Sequence, residues 1–257
     1  MRRALVVGCA MVLIGSVTAA TPADSAELDE ALAAHATPWA SAAAEARVLA
    51  DRILTRESDA LLLDGKRQRE LGYEIKRALS LVRRAYPPMA RIAAREEHGR
   101  AVLLLGLEGA LRDAVVATWG DGSASAPPHT GHGAFDALNT QLGLSAVRVL
   151  PAFDSVHLIL DERANIDAAL RAYLAIDGVA HAEPDALVGD GPDIEAAKVR
   201  GTWHVVFRKA WGDCPAGCIF KVLSFFTVAD GEVERVESAR ARGMDPFAAL
   251  LADRGWR

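Results

Sequence analysis

The sequence predicts an α+β fold, in which a helical N-terminal part precedes a largely antiparallel sheet. Apolar residues recur at helical spacing before residue 98, short apolar runs alternate with helical segments after it, and the last third is rich in β-branched and aromatic residues. With 257 residues, 51% hydrophobic and 25% charged, the composition is that of a globular protein. It excludes collagen, a coiled-coil rod, wholesale disorder and a multi-span membrane protein.

Residues 1–20 are typical of a cleaved export signal. Arg2 and Arg3 precede an uncharged, mostly apolar run from Ala4 to Val17, and the small residues Thr18-Ala19-Ala20 suit cleavage. The run is shorter than the ~20 residues of a membrane span. A retained anchor, or lipidation at Cys9, is the alternative. We expect an exported protein, periplasmic or secreted, without a membrane span after cleavage.

Removal of this signal leaves 27 basic residues against 34 acidic ones. An acidic chain without a dense basic stretch argues against nucleic acid as a partner. Two cysteines remain, Cys214 and Cys218, and an even number at close spacing in an oxidising compartment predicts a disulfide. A redox pair usually has two intervening residues rather than three, and a zinc site would need further ligands such as His204 and Asp213.

Residues 21–98 are predicted to form a helical N-terminal region. Pro87-Pro88 ends its last helix, because proline lacks an amide donor and disfavours helix in the preceding residue. Spacings of three and four residues give that helix one buried face, formed by Leu71, Ile75, Leu79, Val82 and Tyr86.

Residues 99–190 are predicted to form a ferredoxin-like unit, because the elements follow in the order strand, helix, strand, strand, helix, strand. Residues 120–133 are rich in Gly, Ser, Pro and His and are interpreted as a loop. The predicted strands are Ala101–Leu107, Val147–Leu150, Val156–Leu160 and Val179–Val188.

Residues 191–257 are predicted to form a β-hairpin extension and a short C-terminal helix over 245–253. Asp230-Gly231, between Val228 and Val233, is typical of a hairpin turn. The predicted disulfide lies in the same region and would clamp the hairpin.

Two resemblances follow from these motifs. The segment Trp211-Gly212-Asp213-Cys214-Pro215-Ala216-Gly217-Cys218 between aromatic strands resembles a hairpin of uncharacterised exported bacterial proteins. Residues 131–188 resemble the propeptide-like domains of subtilisin-type peptidases through Gly133-Ala134-Phe135-Asp136-Ala137-Leu138-Asn139, Tyr173 and Gly178-Val179-Ala180-His181-Ala182-Glu183-Pro184-Asp185. The second resemblance implies a ferredoxin-like domain that binds and inhibits a peptidase.

The aromatic residues of the hairpin region are candidate interaction residues. Trp203, Trp211 and Phe225 are the three we single out, since exposed Trp and Phe anchor interfaces; a buried core is the alternative interpretation. His129 and His132 have the spacing of metal ligands in a loop, but the interpretation that we favour is a mobile polar loop that joins two elements and holds no metal. The turn Gly189-Asp190-Gly191-Pro192-Asp193 carries oxygen ligands for calcium but lacks the alternating acids of a calcium loop.

No serine elbow, phosphate loop or dinucleotide fingerprint occurs in the sequence. We therefore expect no catalytic residues and no cofactor, and a binding module whose partner is another exported protein. The alternatives are a metal-dependent or acid–base enzyme that uses His129 and His132, and a structural component of the envelope.

Overall fold

A computed structural model describes residues 42–96, 98–120, 122–186 and 190–256. The predicted signal peptide, residues 1–20, lies outside the described residues. The fold is α+β, as predicted, and is built on two antiparallel sheets with helices packed against them. Within the described ranges, no helix has both the length and the apolar character needed to cross a membrane.

Two helices, α1 (Ala42–Glu57) and α2 (Gly65–Ala85), begin the described chain. Asp64 caps α2, since its carboxylate accepts hydrogen bonds from the backbone N–H groups of Lys66 and Arg67. These bonds lower the pKa of Asp64. Four of the five residues of the predicted apolar face are buried, and the fifth, Tyr86, is partly buried and caps the end of the helix. The helix ends just before the two prolines, which start the 3₁₀ turn Pro87–Arg91.

The predicted ferredoxin-like unit forms the first sheet. Its strands lie in the order β2-β3-β4-β1-β5, and every neighbouring pair is antiparallel. The elements are β1 (His98–Leu107), α3 (Gly109–Trp119), β2 (Gly122–Ser125), α4 (Gly133–Gln141), β3 (Ala146–Leu150), β4 (Ser155–Ile159), α5 (Ile166–Leu174) and β5 (Val179–Ala186). Without β2, this is the split βαβ order that the sequence predicts.

Strand β2 was not predicted, because it lies in residues interpreted as a loop. Its four residues, Gly-Ser-Ala-Ser, have no strand signal of their own. They pair with β3 from Gly122↔Val149 to Ser125↔Ala146 and so extend the sheet at one edge. The strand is therefore set by a tertiary partner rather than by local preference.

The C-terminal sheet is a four-stranded meander in chain order: β6 (Asp193–Val199), β7 (Thr202–Trp211), β8 (Phe220–Ala229) and β9 (Glu232–Val236). The turn at Asp230-Gly231 joins β8 to β9, and both of its residues have positive φ, of 51° and 85°. The predicted hairpin extension is thus a complete sheet. Two short helices follow, α6 (Ser238–Ala241) and α7 (Phe247–Asp253).

Helices cover both faces of the C-terminal sheet. Trp203, Val205 and Phe207 alternate along β7 and share one core with the apolar faces of α1 and α2. Val206 points to the opposite face, where it packs in a cluster with Phe247 of α7. The helical N-terminal region and the C-terminal region therefore share a core, although 107 residues of chain separate the end of α2 from β6.

A buried ion cluster fastens α1 to this sheet. The Glu195 carboxylate is fully buried and lies 2.8 Å from Arg52 Nη1, 3.0 Å from Arg56 Nη1 and 3.3 Å from Arg254 Nε. Asp193 is also buried, and its Oδ2 atom lies 2.7 Å from Arg254 Nη2. Because each buried carboxylate faces guanidinium groups from two elements, the cluster fixes helix, strand and C-terminus together.

Candidate interaction site

The β7–β8 hairpin carries the candidate interaction site. Its strands pair continuously from Trp203↔Val228 to Trp211↔Phe220, and an eight-residue loop joins them. Gly212 and Gly217 have φ values of 76° and 108°, in the region that favours glycine. The loop is tight, since a Cβ atom on Gly212 would lie 3.4 Å from the side chains of Ile219 and Phe220.

The predicted disulfide is confirmed. Cys214 and Cys218 are joined across the loop, whose 3₁₀ turn spans Cys214–Ala216. The N–H of Gly217 donates to the carbonyl oxygen of Cys214 at 3.2 Å, and the N–H of Ile219 donates to that of Gly212. Covalent and backbone bonds therefore hold the loop in one shape.

Asp190 ties this loop to the segment before β6. Its backbone N–H donates to the carbonyl oxygen of Cys214 at 2.7 Å, and its carboxylate accepts from the N–H of Cys218 at 3.3 Å. The same carboxylate forms a two-bond pair with Arg208 of β7, at 2.6 and 2.5 Å. One carboxylate thus contacts both strand and loop.

The Arg208 guanidinium holds the pKa of Asp190 far below its usual range, with further help from the N–H groups of Gly191 and Cys218. Asp190 is therefore charged at any physiological pH. Arg208 is itself buried on β7, and its pair with Asp190 is bidentate. Since Asp193 is also paired with arginines, both carboxylates of the turn considered for calcium face guanidinium groups.

An apolar surface lies at the loop end of the hairpin. Ile219, Phe220 and Val222 are 67%, 53% and 50% exposed, and the partly exposed Trp211 ring stacks on Phe220 with centroids 5.4 Å apart. We call Trp211, Ile219, Phe220 and Val222 the tip patch. Lys209 borders it, with its Nζ atom 5.3 Å from the centre of the Trp211 ring.

The three predicted interaction residues lie in different environments. Trp211 belongs to the tip patch, whereas Trp203 and Phe225 are core residues and so are not available to a partner. Trp203 packs with the helices on one face of the sheet, and Phe225 stacks edge-on against Phe247 on the other. The expectation fails for these two because period-two alternation shows that residues share a face but not which face a helix covers.

His129 and His132 lie in a loop that Asp136 organises. The Asp136 carboxylate accepts from the N–H and hydroxyl of Thr130, at 2.9 and 3.0 Å, and from the N–H of Gly131 at 2.9 Å. Among the described residues, the hydrogen-bond partners of this carboxylate are therefore Thr130 and Gly131 rather than the two histidine rings. Across the described part of the chain, no group of three or more His, Cys, Asp or Glu side chains is placed to hold a metal ion.

The sequence does not predict the Asp190–Arg208 pair, nor which apolar residues of β8 are exposed. Arg208 directly follows the apolar run Val205–Phe207 on β7, and a cation that is buried beside such a run needs an acidic partner. Asp190 follows a glycine in a turn, which gave no sign of a partner 18 residues away. Phe220 shares a sheet face with the buried Phe226, so only the packing shows that it is exposed.

Comparison of the chain with models of protein families, with curated proteins and with solved structures finds no match.

Proposed function

We propose that this protein is an exported, non-enzymatic binding module that engages another exported protein through the tip patch. One observation carries the proposal: three apolar side chains, each half or more exposed, lie at a loop held by a disulfide and by the Asp190–Arg208 pair. Exposed apolar residues on a rigid element are typical of interfaces, because little conformational entropy is lost on binding.

Export is part of the proposal and is supported by two features. The first twenty residues have the pattern of a signal, and disulfides persist in oxidising compartments. Fractionation of cells that produce the full chain, followed by N-terminal sequencing, tests this part. We expect the mature chain outside the cytoplasm, beginning near Thr21; an uncleaved cytoplasmic chain would contradict it.

Paired variants test the binding role. The Ile219→Ser/Phe220→Ser variant removes apolar surface from the tip patch, and Phe153→Ser removes a side chain that is 76% exposed on the ferredoxin-like half. Immobilised wild type and Phe153→Ser should enrich the same envelope protein at least about tenfold over the tip variant, as the loss of two apolar anchors implies. The purified partner should then bind with the same ranking.

Two outcomes would contradict the proposal. If no protein separates wild type from the tip variant, the patch has no partner. If sedimentation shows that the wild type alone self-associates and the tip variant does not, the patch is a contact between copies of this chain.

A second candidate is a peptidase inhibitor of the propeptide type, favoured by the position of β5. This strand pairs with β1 and forms one edge of its sheet, so its outer side can accept a strand from a peptidase. It also contains residues 179–185, which carry part of the resemblance. The mature protein should then inhibit a subtilisin-type peptidase at micromolar concentration and leave a chymotrypsin-type enzyme unaffected; no binding to either would exclude this role.

A further inference from the structure

A groove outside the tip patch runs between α1, α2 and the turn at residues 161–163. It is open along one side and encloses about 670 Å³. On α2, residues 65, 69, 72 and 76 line it, at spacings of four, three and four that place them on one helix face. The groove is therefore a continuous feature of a helix pair.

Small residues form the floor of the groove. Ala43 and Ala46 of α1 line the groove together with Gly72 of α2, where an added Cβ would lie 4.0 Å from the Ala46 carbonyl oxygen. A second backbone can approach closely over such a floor, as small residues allow where helices pack. Tyr73, 74% exposed, stands at the rim as an aromatic contact.

The wall of the groove is positively charged. Helix α2 carries seven basic and two acidic residues, in a chain whose net charge is −5. Arg69 and Lys76 form no ion pair with any other described residue, although both line the groove. By contrast, Arg47 and Arg163 are already paired, with Glu162 at 2.7 Å and Asp161 at 3.0 Å.

We propose that this groove binds an acidic helical segment of another protein. Arg69 and Lys76 are seven residues apart on α2, about 10 Å along its axis. An occupying helix with two carboxylates at the same spacing places one opposite each cation, while small residues on that helix meet the glycine and alanine floor. The concave shape favours a helix over a flat lipid surface. The site shares no residue with the tip patch, so the inference goes beyond the proposed function.

The test measures the anisotropy of a fluorescein-labelled, alanine-based helical peptide with two glutamates seven residues apart. The control peptide has the same composition with its glutamates on opposite helix faces. We expect the mature wild type to bind the first peptide at low ionic strength, at least about tenfold more tightly than the second, because only the first matches both cations.

Matched variants locate the site. Arg69→Glu/Lys76→Glu should weaken binding at least about tenfold, whereas Arg77→Glu/Arg84→Glu, with the same change of charge on exposed positions of α2 outside the groove, should leave it within about twofold. Gly72→Leu should abolish binding without a change of charge, because its side chain fills the floor. Circular dichroism confirms that each variant is folded.

The proposal is overturned if neither peptide binds, if both bind equally, or if the two double variants weaken binding to the same extent. The last result would show attraction to the whole helix rather than to a groove. Vesicles of phosphatidylglycerol and a DNA oligonucleotide form two further arms. One of these ligands would replace the peptide if it binds more tightly than the peptide and if Arg69→Glu/Lys76→Glu abolishes its binding. The groove would then be a site for lipid phosphate or for nucleic acid.

Discussion

At the scale of single residues, Asp190 connects the disulfide loop of the candidate interaction site to strand β7. It contacts the disulfide loop and Arg208 at once, and Arg208 is buried. Asp190→Asn leaves that guanidinium without a charged partner among the described residues, so we expect the free energy of unfolding to fall by about 2 kcal/mol. Urea denaturation measures it.

Asp161→Asn is the control for this prediction, since Asp161 pairs with Arg163 at a more exposed site. Exposed pairs contribute about 0–1 kcal/mol. Equal losses in the two variants would mean that the Asp190–Arg208 pair is no more than a surface ion pair.

The lowered pKa of Asp190 also sets a pH dependence. A carboxyl whose pKa is lower in the folded chain stabilises the fold above its unfolded value, and that contribution is lost as the pH falls below about 4. The difference in unfolding free energy between wild type and Asp190→Asn should therefore be constant near neutral pH and shrink in acid. A constant difference down to about pH 2 would contradict this account.

His204 makes stability depend on pH a second time, in a range closer to neutral pH. Burial lowers its pKa, a hydrogen bond with the backbone of Thr202 acts in the opposite direction, and the ring lies edge-on to Phe247 at 5.2 Å. The folded chain holds the neutral form, so its stability is complete above the ordinary histidine pKa of about 6.5 and declines as the pH falls below it. His204→Leu should reduce the loss of stability between about pH 7 and pH 5, which urea denaturation at the two pH values measures.

At the scale of secondary-structure elements, the disulfide in its loop stabilises the end of the β7–β8 hairpin. The Cys214–Cys218 bond closes a loop of five residues, for which chain entropy gives about 2 kcal/mol. The Cys214→Ser/Cys218→Ser variant should lose about that much stability. Its hydrogen exchange should rise at the tip patch more than in the middle of β7, where Val205 and Phe207 are buried. Uniform exchange along the hairpin would show that the disulfide holds the whole sheet rather than its end.

The elements also show what the sequence alone can and cannot determine. Helix α2 and the turn at Asp230-Gly231 were predictable, because periodicity and turn residues are local signals. Strand β2 and the Asp190–Arg208 pair were not, because each depends on a partner distant in sequence. The tip patch was predictable only in part. The sequence shows which residues of β8 share a sheet face, but it does not show how far along that face α1 and α2 extend.

At the scale of the whole molecule, the segment between α1 and α2 joins the two sheets. Leu63 N–H donates to the Arg163 carbonyl oxygen at 2.7 Å, and the Asn165 N–H donates to that of Leu61 at 2.9 Å. The buried Asn165 side chain both donates and accepts a hydrogen bond. Its Nδ2 donates to the Ser58 carbonyl oxygen at 2.8 Å, and its Oδ1 accepts from Ala168 N–H at the start of α5.

Asn165 both caps a helix of the first sheet and binds the α1–α2 connection. Its replacement should therefore make the unfolding of the first sheet less cooperative with that of the C-terminal sheet. Asn165→Ala should lower the unfolding free energy by about 2 kcal/mol, and native-state hydrogen exchange should show β1 and β4 opening before β7. Asn165→Ser keeps a capping oxygen but has no amide to reach Ser58, so it separates the two roles. If its β1 and β4 amides still open together with β7, the helix cap is the decisive contact, and the link to Ser58 does not couple the halves.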